Sequence, residues 1–233
     1  MASIRAKSTR LVVVPADGTQ LEADLVVPPS AIGAVILVHD SGSDRSAPPL
    51  QRIARLFNEA RLATLALDLI APTERAEWGM YRDNYSLHAN RLARVFDFLG
   101  ARQDTRDLHV GLFGAGRGLV GCLLIAERLR TIGAIVGADG RPDLAGPNLS
   151  LVQAPTLLLV RGTDMPLINL NERGLTLLRG ADHRVGIVSG ATDLFTDPKA
   201  CDETAMRASA WFTHYLGGRA AAETPVDVWH APR

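Results

Sequence analysis

The sequence predicts an α/β domain built on a mostly parallel, eight-stranded sheet with helices on both faces. Three observations predict it. Short continuous apolar runs such as "GAVILVHD", residues 33 to 40, have the length and composition of strands buried on both faces. Segments of helical periodicity separate these runs, and alternation of this kind favours parallel strands joined by right-handed crossovers. Hydrophobic residues make up 47% of 233, enough for a sizeable core within the size a single α/β domain often occupies.

The elements follow in order. "RLVVVPADGTQLEADLVVPP" gives two β-like runs around an Asp-Gly turn, an antiparallel hairpin at the sheet edge. After the strand at 33 come a helix over 50–61, the strand "ATLALD" and a helix over 86–101 with Leu87, Leu92, Val95, Phe96 and Leu99 along one side. Strand "LHVGLF", a helix over 119–128, and strands "IGAIVGA" and "PTLLLVRG" continue the pattern. A helix over 168–178, the strand "RVGIV" and a helix over 198–215 finish it. The organisation is one domain over 1–233, with a small lid at 70–85 carrying Trp78, Tyr81 and Tyr85, and an extended C-terminal tail at 217–233.

Charge and composition narrow the partners. Twenty-five Lys and Arg balance 25 Asp and Glu, so no field draws the chain to nucleic acid. The N-terminal "MASIRAKSTRLVVV" reads as a first strand rather than a signal-peptide core. No run reaches the ~18 apolar residues of a membrane span, and a cytoplasmic location is expected. Cys122 and Cys201 lie far apart in helical patterns, which argues against a disulfide framework or a zinc site. No cofactor or metal is implied. A small molecule is the expected partner, and apolar edge surfaces suggest a homodimer.

Ligand sites in such sheets lie beyond the carboxyl ends of the strands. The residues there are His39, Asp40 and Ser41 after the third strand, Asp68 after the fourth, Gly116 and Arg117 after the fifth, Asp164 after the seventh and Asp193 after the eighth. His39 closes a buried strand and is expected to fix its loop, Ser41 and Ser43 lie beside it, and Cys122 reads as a core residue. His109 and His183 fall at the opposite end of the sheet, while His88 is the one further histidine within reach of the pocket.

Five stretches, "VHDSGSDR", "FGAGRG", "GRPDLAG", "APTLLLVRGTD" and "SGATDLF", occur in an order that resembles the α/β-hydrolase superfamily, and within it the dienelactone hydrolase-like branch. The likeness covers nearly the whole chain. It implies a Gly-x-Ser-x-Gly elbow between the fifth strand and its helix, an aspartate after a later strand and a histidine after the last. Here that order reads Gly116, Asp164, Asp193. Serine would supply the attacking oxygen, histidine would take its proton and the acid would orient the imidazole. Only Asp164 matches, so the resemblance implies a degenerate triad.

The same resemblance places an oxyanion hole at the backbone N–H groups of Arg117 and of Asp40 or Ser41. With the helix dipole, these donors are expected to hold an anion. His39, Trp78 and Tyr81 are expected around the pocket. Asp164 and Asp193 are expected to approach each other with Arg117, Arg141, water or a cation between them. Two readings follow. One is a non-catalytic binding or regulatory protein that keeps the pocket. The other is an enzyme: a dienelactone hydrolase-like esterase, or a cofactor-free lyase, isomerase or cyclase with a displaced site that uses Asp164, Asp193 and His39.

Overall fold

The computed structural model describes residues 9–39, 44–180 and 182–217. Eight strands form one sheet in the order β1-β2-β4-β3-β5-β6-β7-β8. β1 (Arg10–Ala16) and β2 (Thr19–Val26) are the expected hairpin. Their turn places Asp17 at φ 48° and Gly18 at φ 78°, the doubly positive conformation that an Asp-Gly pair accommodates and that matches strand twist. β2 also runs antiparallel to β4 (Leu62–Leu67), and every later pairing is parallel.

The central strands β3 (Gly33–Val38), β4, β5 (Val110–Ala115) and β6 (Ala134–Ala138) are buried at every position, because helices cover both faces. On one face α1 (Pro48–Glu59) and α6 (Pro198–Leu216) enclose Phe57, Phe113, Phe212 and Trp211. Phe57 meets Phe113 and Phe212 edge-on at 5.8 and 5.6 Å, the geometry that aromatic quadrupoles favour. The opposite core holds Leu92 and Val95 of α3 (Tyr85–Ala101) and Leu119 and Leu123 of α4 (Gly118–Arg128). β7 (Thr156–Arg161), α5 (Met165–Leu177) and β8 (His183–Val188) complete the expected series.

Local sequence sets the helix boundaries. Prolines occupy the first turns of α1, α5 and α6, where a missing N–H costs nothing. The side chains of Asn84, Asp164 and Asp197 cap α3, α5 and α6. One element was not expected: a 3₁₀ segment over Pro142–Leu151, kinked where Gly146 takes φ 63° before Pro147.

Register places the functional positions. Val38 pairs with Leu67 on one side and Gly114 on the other, and Ala115 pairs with Ala138. His39, Asp68, Gly116 and Asp139 therefore emerge from neighbouring strands at one edge of the sheet.

Candidate functional site

The site is built around the turn from β5 to α4. Gly116 sits at its tip with φ 53°, its N–H donating to the carbonyl of Ala138 at 2.9 Å. A side chain in that left-handed conformation would cost ~1–2 kcal/mol, which glycine avoids; the turn has the backbone shape of a nucleophile-bearing elbow. The flanking glycines are needed for another reason. A Cβ on Gly114 would lie 2.5 Å from Cα of Leu119, and one on Gly118 would lie 3.0 Å from the carbonyl oxygens of Val38 and His39. Only glycine lets the first turn of α4 fold back so closely on β3 and β5. Arg117 has helical backbone angles at the start of α4, while Asp40 and Ser41 lie outside the described residues.

Beside the elbow is a cavity of about 460 Å³. His39, Asp68, Trp78, His88, Arg117 and Gly118 are among the residues lining it, with Asp44 and Arg75 at its polar side. Asp68 organises that side. Its Oδ1 meets His39 Nε2 at 2.9 Å and accepts from the Arg45 amide at 2.8 Å, while Oδ2 accepts from Arg45 Nη1 at 2.6 Å and Arg75 Nη2 at 3.4 Å. Burial to 3% exposure works against a charge on Asp68, yet the bonds from His39 and Arg45 outweigh it and hold its pKa below the ordinary carboxylate value. Arg45 reaches Glu22 at 2.8 Å as well, tying the site to the hairpin. Asp44 is held locally, its Oδ1 accepting from the amide and hydroxyl of Ser46.

The connection at 70–84 contains a 3₁₀ turn (Pro72–Glu77) and the short helix α2 (Trp78–Tyr81). Arg75 and Trp78 turn from it into the cavity. It is fastened by Glu74, which binds both terminal nitrogens of buried Arg91 on α3 and accepts from the Ala71 amide at 2.9 Å. Tyr81 lies against the Arg91 guanidinium, 5.9 Å from ring centre to Cζ. Arg117 Nη1 donates to Asp83 at 2.6 Å. His88 lines the inner wall, and burial pushes its pKa down to about 4.

The two carboxylates of the expected acid and base positions are engaged locally. Asp164 Oδ1 accepts from the Leu167 amide at 2.9 Å, capping α5, and Oδ2 accepts from Arg161 Nη2. The Leu167 amide and Arg161 keep its pKa low. Asp193 Oδ1 accepts from the amides of Phe195 and Thr196 at 2.8 and 2.7 Å. Burial opposes its ionisation, but those amides hold its pKa below the ordinary value.

A cation that acts on both carboxylates is Arg161, a residue the sequence reading did not name beside Arg117 and Arg141. It binds Asp139 through Nη1 at 2.9 Å, binds Asp164, and lowers the pKa of Asp193. Arg117 is taken by Asp83, and Arg141 forms a two-bond pair with Asp143 at 2.8 and 2.7 Å, the local partner winning over a distant one. Asp139 itself has φ 50° and a carboxyl pushed upward by burial.

Sequence reasoning missed Arg45, Asp139 and Arg161 as site residues. The rule that singles out residues just after each strand would have found Asp139, which follows β6. Arg45 and Arg161 become legible only through register. Cys122 is buried in the core as expected, and its thiol pKa is raised by burial. Among the described residues no cluster of histidine, cysteine and carboxylate side chains is suited to a metal, and no helix is long and apolar enough to cross a membrane.

Strand order, elbow and helices on both faces are those of an α/β-hydrolase fold. No protein-family model matches the chain. A solved dienelactone hydrolase from Anabaena variabilis is 38% identical, with a TM-score of 0.85 and coverage of 90% of this chain and 99% of that one. This chain belongs to the dienelactone hydrolase family. Proteins from two strains of Mycobacterium tuberculosis, provisionally named phosphoribosyl transferases, are 37% identical over 208 residues, 89% of this chain. The chain spans only 46% of their length. An esterase domain from Rhodothermus marinus shares the fold at a TM-score of 0.72 with 16% identity, covering 90% of this chain and 100% of that one.

Proposed function

We propose that this protein binds a small anionic molecule in the pocket beside the elbow and carries out no serine-dependent acyl transfer. Gly116 carries the reading: at φ 53°, where the fold would hold the nucleophile, there is no side-chain oxygen to attack a carbonyl. Asp193 supports it, because a carboxylate kept ionised by two amides is a weak base at neutral pH. Loss of nucleophile and base costs a working triad on the order of 10⁶ in rate. The triad is thus degenerate, while the backbone donors at the start of α4 and the further N–H groups of Arg75 and Arg117, whose other bonds go to Asp68 and Asp83, remain to hold an anion under the 70–84 lid.

Two measurements on the full chain test it. Incubation with a serine-reactive fluorophosphonate and with p-nitrophenyl acetate is expected to leave the intact mass unchanged and to show no kinetic burst. A stoichiometric adduct on Ser41 or Ser43 with turnover would overturn the non-catalytic reading. Calorimetric titration with acetate, ribose 5-phosphate and phosphoribosyl pyrophosphate is expected to show saturable binding of at least one, weakened roughly tenfold in Arg117→Ala, as loss of a charged hydrogen bond predicts. The two phosphates are included because of the name borne by the longer mycobacterial relatives.

One observation favours a second reading. His39 and Asp68 form a hydrogen-bonded pair facing the same cavity, an arrangement suited to moving a proton in a lyase, isomerase or cyclase. In that case turnover of a bound acid would fall at least 10²-fold in His39→Gln with affinity retained.

A further inference from the structure

The first strand is an open edge of the sheet, since β1 pairs with β2 on one side and with no described strand on the other. Its backbone groups divide between those two sides. The Glu22 carbonyl accepts from the Asp68 amide at 3.2 Å, so the main-chain groups of Glu22 point away from β1. Residues facing each other in an antiparallel pair either exchange both bonds or turn both outward, in alternation. Val13, opposite Glu22, therefore points its N–H and C=O to the open edge, and so do Leu11 and Pro15, two residues to either side. Pro15 agrees with this, because a strand tolerates a residue without an N–H where no ladder bond is due from it.

The side chains of the same residues are uncovered. Val14 and Ala16 are buried, and Val12 is packed, in the core that holds Leu92 and Val95 of α3. On the opposite face Leu11 and Val13 are 62% and 45% exposed, and Pro15 is exposed as well. Apolar side chains in solvent thus coincide with backbone groups that have no strand to pair with among the described residues, a combination that sheet edges ordinarily avoid. Charge around them is balanced. Arg10 is met by Asp104 at 3.3 Å, while Glu22 and Asp24, opposite Val13 and Leu11, are met by Arg45 at 2.8 and 3.5 Å. The edge therefore offers a charged peptide no complementary field.

Its row of N–H and C=O partial charges is instead its own complement under a two-fold axis. With the axis through Val12, Leu11 faces Val13 of a second copy and the two exchange both bonds, and the same holds for Val13 and the second copy's Leu11. These side chains then meet on the exposed face as cross-strand pairs. Arg10 falls opposite Val14 of the other copy, so the two Arg10 residues stand ~14 Å apart at the strand rise, beyond the screening length.

We propose that the protein forms a weak, reversible dimer with a second copy of itself through β1, joining the two sheets edge to edge about an axis at Val12. A single strand pair is small beside the ~1,600 Å² of a stable interface, so the copies associate at high concentration and part on dilution.

Sedimentation velocity on the full chain, from about 10 µM to 1 mM, is expected to show a monomer–dimer equilibrium with a dissociation constant on the order of 100 µM. Amide exchange followed by NMR is expected to slow at Leu11 and Val13 as concentration rises, and to stay unchanged at Val12 and Val14, which bond to β2. Val13→Pro removes an N–H that the β1–β2 ladder does not use, and is expected to weaken dimerisation by about tenfold or more. Val13→Lys keeps the N–H but brings two like charges within a screening length of each other, and is expected to weaken it similarly.

A monomer throughout that range overturns the proposal. So does a dimer that keeps its affinity in either folded variant, or that leaves exchange at Leu11 and Val13 unchanged, since it uses another surface, such as the one with exposed Met165 and Leu177 on α5. Should Val13→Pro not fold, Val13→Lys and the amide exchange of the unmodified chain decide.

Discussion

At the scale of single residues, the site shows how backbone and side chain can part company. Gly116 takes a left-handed conformation that glycine adopts freely, and any side chain placed there has to meet its strain. Gly116→Ala is expected to lower unfolding free energy by about 1–2 kcal/mol in urea titrations. Gly114→Ala is expected to cost more, roughly 3 kcal/mol, because its Cβ would strike the backbone of Leu119 at 2.5 Å rather than a movable side chain. His88 gives a prediction in pH. Its folded pKa is about 4 against an ordinary 6.5, so the unfolded chain takes up the proton first as pH falls. Stability should drop by about 3 kcal/mol between pH 6.5 and pH 4, then stop changing on this account once both states are protonated. The His88→Leu variant should show a correspondingly flatter profile. That histidine was visible in the sequence only as a residue within reach; its burial comes from α3 packing on α4, which one segment alone does not reveal.

At the scale of elements, the strands were legible because continuous apolar runs leave few alternatives, and helical periodicity placed the helices to within a few residues. The Pro142–Leu151 segment was not legible, since Gly146 and Pro147 break any periodicity it would have shown. The 70–84 connection was recognised by its length and aromatic content, but not what fastens it. Arg91 is 1% exposed and depends on Glu74 for its counter-charge. Glu74→Ala is expected to destabilise the protein by about 3–5 kcal/mol, since it strands a buried guanidinium. The same change should speed tryptic cleavage at Arg75 and Arg82 relative to sites elsewhere, which limited proteolysis followed by mass spectrometry would read.

At the scale of the whole molecule, the sheet is the rigid body against which everything else is positioned. Amide exchange should be slowest in Val35–Val38 and Leu112–Ala115, buried on both faces, and fastest among the described elements in the 3₁₀ turn and α2. Equal protection of that connection and the central strands would contradict this hierarchy. The order of chemistry-bearing residues along the chain could be read from the sequence, but the partner each one chose could not, because Arg161 meets Asp139 only through the pairing of Ala138 with Leu159. That partnership has a bearing on any attempt to build a triad here. With serine and histidine placed at 116 and 193, Asp164 would still be clasped by Arg161, so the two substitutions are expected to bring little activity by themselves. Removing the arginine first would abandon Asp139, whose side chain is 8% exposed, at a cost to folding. A serine and a histidine at those two positions are therefore expected to act only after a third change releases Asp164, and that change carries its own cost in stability.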